Sequence, residues 1–256
     1  MVYQMITDLK VMMTERLKLY QKHKKVLPRR IVVYRKGVSE GQFKTVIEHE
    51  LPNIVESFKD FENAKQPYRP KLTIIVCTCG KRHHTRFFPI DAQFADINGN
   101  PRPGTVVDKG VTAVYGECAS EQIYIYQWKT PTEFDFFLQA HYGLQGTVRP
   151  THYYVIHDEI GFDANRLQNL THAVSYMSAR ATKAVSRAAP AYFADLACKR
   201  GRAYLHKLFQ GISEVGATTA SGTINEGEEQ LTTLREAERL WLGGPGEGLK
   251  DTMFYL

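Results

Sequence analysis

The stretch YRKGVSEGQF, at residues 34–43, holds the first group that could do chemistry. A β-branched run at residues 31–34 leads into it, and Lys36 is followed by a glycine and by a helix start at Ser39. In α/β enzymes, catalytic groups lie where a strand ends and the chain turns toward a helix. Because the residue in that place is a lysine, the stretch marks either an active site or one that has lost its chemistry.

A second candidate is the basic run KRHHTR at residues 81–86, which combines three cations with two histidines and a hydroxyl. Such a cluster offers several hydrogen-bond donors to phosphate oxygens. An exposed basic loop without any ligand would have the same composition. The run therefore predicts either a phosphate-binding loop or an ordinary solvated one.

A third candidate lies at residues 180–207, where seven cations face the single acid Asp195. The cations are Arg180, Lys183, Arg187, Lys199, Arg200, Arg202 and Lys207. On a helix, Asp195 and Lys199 are four residues apart and could pair. The arginines that follow need another partner, and a nucleic-acid backbone would serve. Tyr192 could stack on a base, although packing in the core is the preferred interpretation.

The chain ends in the apolar segment TMFYL, whose last residue, Leu256, carries the terminal carboxylate. An apolar tail usually docks onto the body of a domain, since burying it removes apolar surface from water. The carboxylate could then sit in a basic pocket or hold a metal ion. We expect the tail to be part of a site for one of these two reasons.

Composition narrows the class of protein. With 256 residues, 43% of them hydrophobic, the chain can bury a substantial core. A formal charge of +6 allows polyanion binding but fits a basic solvated surface equally well. Four cysteines are too few for a disulfide scaffold, and no signal or membrane-spanning run is seen, so we expect a soluble intracellular protein. Cys77-x-Cys79 has the wrong spacing for structural zinc and favours buried strand cysteines.

Periodicity and turn residues place these stretches on alternating helices and strands. Helices are predicted at residues 2–22, 39–61 with a kink at Pro52, 163–186 and 190–208. Strands are predicted at residues 31–34, 71–79, 105–115, 122–128 and 152–157. The composition predicts a mobile loop at residues 211–230 and a short helix at 229–242. This order predicts an α/β fold with a parallel or mixed sheet covered by helices.

Six motifs follow one another along nearly the whole chain: RIVVYRKGVSEGQF, KRHHTRFF, GTVVD, PTEFDFFLQAHYGLQGTVRPTHYYV, APAYFADLACKRGRAYL and TMFYL. In this order they resemble the C-terminal part of the Piwi domain of eukaryotic Argonaute proteins, and the residues of the motifs are most similar to those of fungal members. The resemblance implies an RNase H-like fold, a mixed central sheet with helices on both faces. It also implies RNA-mediated gene silencing, in which the domain holds a guide RNA and active members cut the target with Mg²⁺ ions.

The resemblance implies where the metal-binding carboxylates of active members fall. A family aspartate falls on Lys36, a family glutamate on Gln4, and the first aspartate lies upstream of residue 1. A protonated lysine has no lone pair for Mg²⁺ and repels it, and a glutamine is neutral. Only Asp195 keeps a carboxylate, which cannot by itself hold two ions about 4 Å apart. We therefore expect no cleavage activity, no metal site and no cofactor for this chain.

The alternative is a metal-dependent endoribonuclease that acts as part of a longer chain. Asp108, Asp158 and Glu159 could supply compensating carboxylates, although loop or helix-cap roles suit each of them better. Mg²⁺-dependent cleavage that Asp195→Ala abolishes would establish this alternative.

The resemblance also carries over a nucleic-acid-binding set. Its members are Lys81, Arg82, His84, Arg86, Arg180, Lys183, Ser186, Tyr192, Arg200, Arg202 and Leu256. They would contact the 5′ phosphate and first nucleotides of a small guide RNA, whose bases would read a complementary target RNA. Tryptophan-bearing silencing proteins are further expected partners, and a membrane is not. We expect the protein in the cytoplasm, with the nucleus as a second location.

The domain organisation follows from the same resemblance. Residues 1–256 form one partial Piwi domain that is incomplete on its N-terminal side. Compared with the family pattern, residues 113–129 are an extra segment, either a real insertion or an error in the gene model. The Mid domain, which supplies half of the 5′-phosphate pocket in the family, is not part of this sequence, so we expect weak guide affinity.

Overall fold

The computed structural model describes residues 5–6, 8–62, 67–77, 83–112 and 134–206, together with 237, 239, 248–249 and 251–256. The chain divides into two compact units, Met1–Ala191 and Tyr192–Leu256. None of the helices in the described ranges is both long and apolar enough to span a bilayer.

The first unit is built on a five-stranded sheet. Its strands are β1 (Arg30–Lys36), β2 (Lys71–Cys77), β3 (Thr105–Val107), β4 (Phe134–Gln139) and β5 (Thr151–Asp158). They lie in the order β1-β2-β5-β4-β3, with β1 and β2 parallel and the other neighbours antiparallel. The sheet is therefore mixed, as the sequence predicts.

Helices cover both faces of this sheet. Those of the first unit are α1 (Leu9–Lys24), α2 (Phe43–Thr45), α3 (Leu51–Lys59) and α4 (Ala164–Ser175), and α5 (Ala189–Tyr204) begins at the end of the first unit and continues into the second. On one face, Leu17 of α1 and Ile54 of α3 pack against Leu72 of β2. On the other face, Leu167 of α4 packs among Phe136 and Tyr153 of the sheet. Alternating strand side chains supply the two cores, and this arrangement confirms the predicted fold class.

The helix predicted at residues 39–61 is interrupted as its proline suggests. A 3₁₀ turn at Glu40–Gln42 leads into α2, a π-helical turn at Val46–Glu50 follows, and α3 begins at Leu51. Pro52 has no N–H for the carbonyl four residues earlier, and its ring crowds that carbonyl. The wider π turn just before it relieves this crowding and rotates Glu50 inward, where its side chain is buried.

The bounds of three predicted elements differ from those in the structure, and the first of these, the helix predicted at residues 2–22, begins at Leu9. The strand predicted at residues 105–115 ends at Val107, because the following residues enter a turn in which Gly110 has φ +81°. The helix predicted at residues 163–186 ends at Ser175, because the chain folds back and the Val185 N–H donates to the Ser175 carbonyl. The predictions for 113–129, 122–128, 211–230 and most of 229–242 fall outside the described residues.

Candidate nucleic-acid interface

Each of the five strands has one end on the same side of the sheet, and this side, where the strands end or begin, is called the edge below. β1 and β2 finish there together, with Lys36 paired to Cys77. The antiparallel pairings bring the start of β5 and the end of β4 to the same edge, since Cys77 pairs with Tyr153 and Leu138 pairs with Thr151. The loops that connect these ends therefore meet in one place.

Lys36, Cys77 and Tyr153 form a row across three neighbouring strands at this edge. Residues paired in a sheet project from the same face, so the three side chains share a face. Two residues before Lys36 along β1, the Tyr34 hydroxyl lies 3.2 Å from the Thr171 hydroxyl of α4. The row therefore lies on the face that α4 covers.

The segment after α4 brings Arg187 to the same row. The Thr151 hydroxyl donates to the Ser186 carbonyl at 2.5 Å, and the Ala188 N–H donates to the Tyr153 hydroxyl at 3.0 Å. Arg187 lies between these two anchored residues. Burial raises the pKa of the Cys77 thiol to about 12, while the charges of Arg187 and Lys36 act in the opposite direction. Both cations thus act on the same strand end.

Arg35 holds the end of β1 in place. Its guanidinium donates to both Glu50 oxygens, at 2.8 and 2.7 Å, and to the Lys36 carbonyl. The two side chains are 11% and 3% exposed, so water screens the ion pair little. Glu50 also accepts the Ile6 N–H at 3.0 Å. The buried pair therefore fixes the backbone that carries Lys36.

Further cations surround this edge on its loops. Lys183 lies over the ring of Tyr142, 5.4 Å from its centroid, in the loop that follows β4. Arg149 stands two residues before β5, and Arg86 donates to the Thr85 carbonyl at 2.8 Å. We call the set Lys36, Arg86, Arg149, Lys183 and Arg187 the basic edge. Its location at the strand ends gives it the position expected of a ligand site in an open sheet.

The two histidines of the basic run have different environments. His83 is half-buried, its Nε2 lies 2.9 Å from the Pro150 carbonyl, and its ring packs edge-on against Phe137. His84 is exposed. Phosphate binding was predicted for His84, and exposure is compatible with that role, whereas His83 helps to pack the loop against the sheet. The remainder of the run that the resemblance singled out, Lys81 and Arg82, lies outside the described residues, as does Gln4.

Protonation of His83 should make the fold sensitive to mildly acidic pH. Burial lowers the pKa of His83, and its Nδ1 is buried without a hydrogen-bond partner in the described part of the chain. As the pH falls below about 6.5, the unfolded chain takes up the proton before the folded chain does, so the free energy of unfolding decreases. We expect His83→Gln to flatten this decrease in chemical unfolding measured from neutral pH to pH 5.

His84→Gln is the matched control for that experiment. The ring of His84 is exposed in the folded chain, so its replacement should leave the pH profile of unfolding as in the unmodified chain. An equal flattening in both variants would contradict the assignment of the acid sensitivity to His83.

The carboxylates that could replace missing metal ligands serve other purposes. Asp158 accepts from the Thr73 hydroxyl at 2.6 Å and from three backbone N–H groups of the turn after β5. Glu159 accepts the Leu72 N–H at 3.0 Å, and Asp108 accepts from the Gln168 amide at 2.9 Å. These contacts are the loop and turn roles that suit the three residues better than metal binding.

The remaining predicted site residues are divided between the units. In the first unit Arg180 is exposed and Ser186 is half-buried beside β5. In the second, α5 carries Tyr192 and Asp195, both half-buried, and the exposed Arg200 and Arg202. Leu256 is half-buried, and its N–H donates to the Met253 carbonyl in the final turn.

Two contributors to the basic edge were not among the predicted site residues. Arg187 was noticed as one of a run of cations, and Arg149 was not singled out at all. Their signal in the sequence is weak, because Arg187 follows a stretch predicted as helix that lies beyond the end of α4 at Ser175, and Arg149 is a single charge in a loop. Register and the hydrogen bonds of the flanking residues are what place them.

Comparison with known proteins agrees with this architecture. Residues 2–206 match the Piwi domain family. The curated protein argonaute 14 of Oryza sativa subsp. japonica is 39% identical over 243 residues, covering 93% of this chain and 20% of that protein. Protein argonaute 5 of Arabidopsis thaliana is 37% identical over 233 residues, covering 90% of this chain and 20% of that protein. The chain thus spans about one fifth of the length of these relatives.

Solved structures give the same result. The C-terminal lobe of a budding yeast Argonaute superposes with a TM-score of 0.75 at 31% identity, covering 98% of this chain and 44% of that one. Kluyveromyces polysporus Argonaute with a guide RNA gives 0.74 at 31% identity, covering 98% and 27%. These structures are from yeast, whereas the curated relatives above are from plants. The chain belongs to the Piwi domain family of Argonaute proteins and has its RNase H-like fold.

Proposed function

We propose that this chain is the guide-binding part of an Argonaute-type RNA-silencing protein, which holds a 5′-phosphorylated small RNA and presents it to a complementary target RNA. The basic edge carries this proposal, because it gathers five cations from the end of β1 and from three connecting segments at the ends of the strands. Phosphates of a nucleic-acid backbone are matched by such a set of cations without regard to sequence. Specificity would then come from base pairing between guide and target.

Family membership supports the same proposal. The solved Kluyveromyces polysporus Argonaute, 31% identical to this chain, contains a guide RNA. Because this chain covers only 27% of that protein, the rest of a guide site would lie on segments other than these. We also propose that the protein acts in the cytoplasm, with the nucleus as a second location. Tryptophan-bearing silencing proteins are proposed partners on the basis of the family resemblance.

We further propose that the chain does not cleave its target. Lys36 stands at the end of β1, where the resemblance places a metal ligand of active members, and the charge of Arg187 acts on Cys77, the residue paired with Lys36. Within the described ranges, no cluster of three or more His, Cys, Asp or Glu side chains could hold a metal ion. The ammonium of Lys36 and the guanidinium of Arg187 do not fit Mg²⁺, since both oppose the approach of a cation.

A metal-dependent endoribonuclease acting as part of a longer chain is the second candidate. One observation favours it: Asp195 keeps a half-buried carboxylate on α5 at a position that the family uses for metal. Incubation of the chain with a guide, a complementary RNA and Mg²⁺ tests it. Cleavage that Asp195→Ala abolishes would establish this candidate and overturn the previous proposal.

The binding proposal is tested by charge reversal at Lys183 and Arg200. With a short 5′-phosphorylated RNA, each of Lys183→Glu and Arg200→Glu should weaken binding by about tenfold or more, because a phosphate contact is replaced by repulsion. The logarithm of the affinity should fall linearly with the logarithm of salt concentration, and each variant should lower the slope by about 0.7. Fluorescence anisotropy across a salt series measures both quantities.

Lys18→Glu provides the matched control, since Lys18 is an exposed lysine on α1 and its reversal changes net charge by the same amount. It should alter affinity by less than about threefold. Binding that does not respond to salt, or that the control weakens as much as the two test variants, would contradict the proposal.

A further inference from the structure

Lys36 and Arg187 approach the end of β2 from opposite sides of the row defined above. Lys36 pairs with Cys77 on the β1 side. On the β5 side, Cys77 pairs with Tyr153, whose hydroxyl accepts the N–H of Ala188, the residue next to Arg187. Lys36 and the β5 side of this row are separated by two strand spacings, about 10 Å, and the long side chains of a lysine and an arginine can reach one phosphate group across that distance.

The residues between the two cations bring no negative charge. Burial raises the pKa of the Cys77 thiol to about 12 and raises the pKa of the Tyr153 hydroxyl well above its usual value, so both are neutral at physiological pH. The charge of Arg187 acts on both groups. Both side chains are fully buried in the core, so the strand end between the two cations adds no charge of its own, and an anion is the ligand that the two cations suit.

The backbone around the two cations is held firmly. Arg35 binds the buried Glu50 and donates to the Lys36 carbonyl, while Ser186 and Ala188 are each hydrogen-bonded to β5. A site whose backbone is fixed in advance loses less conformational freedom when a ligand binds. Lys36 and Arg187 can thus supply the flexible part of the site from a rigid base.

We infer that Lys36 and Arg187 together hold a single backbone phosphate of the bound nucleic acid at the ends of β1 and β2. The inference rests on the proposed nucleic-acid binding and adds a specific contact to it. In this chain the lysine ammonium supplies positive charge to the phosphate at the place where active relatives position a metal ligand.

The contact is tested with neutral linkages in the RNA. In a series of short 5′-phosphorylated RNAs, one phosphodiester at a time is replaced by an uncharged methylphosphonate. One position should weaken binding to the unmodified chain by about tenfold, the size of a charge-assisted contact. With Lys36→Met or Arg187→Met, binding of the unmodified RNA should fall by about the same factor, and the neutral linkage at that position should then cost nothing further.

The double variant distinguishes one shared phosphate from two separate ones. If both cations hold the same phosphate, the salt slope should fall by about 0.7 in each single variant and by no more than that in the double variant. Lys36→Arg, which keeps the charge, should retain affinity within about threefold. Lys71→Met is the control, because Lys71 is an exposed lysine at the opposite end of β2 and should leave affinity and slope unchanged.

Three outcomes decide the matter. Position-specific loss shared by both variants supports the inference. Lys36→Met that binds like the unmodified chain, or a loss matched by Lys71→Met, overturns it while salt-dependent binding leaves the proposed function in place. If the unmodified chain fails to bind RNA, both this inference and the proposed function are wrong. Circular dichroism and melting of each variant verify that the compared chains are folded.

Discussion

Replacing Glu50 by alanine is expected to lower the free energy of unfolding by about 3–5 kcal/mol, the cost of leaving one partner of a buried ion pair without the other. Glu50 is 2% exposed and accepts from Arg35 at both of its oxygens. Without it, the largely buried Arg35 guanidinium would keep its charge in a poorly solvated place. The Ile6 N–H would lose its acceptor as well. Urea unfolding followed by far-ultraviolet circular dichroism measures this change.

The same replacement should also reach the basic edge. Arg35 connects Glu50 to the Lys36 carbonyl, so the loss of Glu50 releases the backbone at the end of β1. We expect the Glu50→Ala chain, compared while still folded, to bind short RNA several-fold more weakly. The loss should not exceed the effect of Lys36→Met, because the Lys36 charge remains and only its positioning has changed.

Glu48→Ala separates the buried pair from a general effect of removing a glutamate. Glu48 belongs to the same π turn but is paired 3.7 Å from Lys44 on the surface, where both side chains are largely exposed. Its removal should cost less than about 0.5 kcal/mol. A second comparison uses Arg35→Met together with Glu50→Leu, which removes both charges and should recover much of the lost stability. Equal losses in Glu50→Ala and Glu48→Ala would contradict the role given to the buried pair.

Three of the five strands were the most predictable part of this fold, whereas β3 was predicted too long and β4 was not predicted. β1, β2 and β5 are apolar, β-branched or aromatic runs bounded by turn residues, and buried strands have that composition. The helix ends were less predictable. Helical periodicity continues through residues 163–186, but a tertiary hydrogen bond from the Val185 N–H to the Ser175 carbonyl competes with the helix, which ends early. The local pattern of residues does not reveal a hydrogen bond that forms only when the chain folds back on itself.

The candidate site likewise has one part that was predictable from the sequence and one part that was not. The sequence predicts Lys36 at a strand end, because an apolar run followed by charge and glycine is a local signal. The buried partner of its neighbour was not predictable: Glu50 is 15 residues from Arg35, and it turns inward because of the π turn ahead of Pro52. Arg187 likewise reaches the row through contacts of Ser186 and Ala188 with β5. Contacts between residues that are distant in the sequence, such as these, cannot be predicted from local residue patterns.

Asp158 is the residue for which a structural and a catalytic role make opposite predictions. It accepts from the buried Thr73 hydroxyl and from the N–H groups of Ile160, Gly161 and Phe162. Asp158→Ala would leave several of these donors without an acceptor, and each buried unsatisfied group costs about 1–3 kcal/mol. Since the turn can open to water in part, we expect a total loss of about 3 kcal/mol in urea unfolding.

Asp163→Ala is the matched control, because Asp163 follows in the same connection and its side chain makes no capping hydrogen bond to α4. Its replacement should cost less than about 1 kcal/mol, the upper range for a charge near a helix start. A substitute metal ligand would behave differently from a turn residue: removing a carboxylate from a metal site relieves repulsion and stabilises the metal-free chain. If Asp158→Ala leaves stability unchanged or raises it, and the effect depends on added Mg²⁺, the turn role is wrong and Asp158 becomes a candidate ligand. A loss that is the same with and without Mg²⁺ assigns Asp158 to the turn, where it ties the end of β5 to the buried hydroxyl of β2.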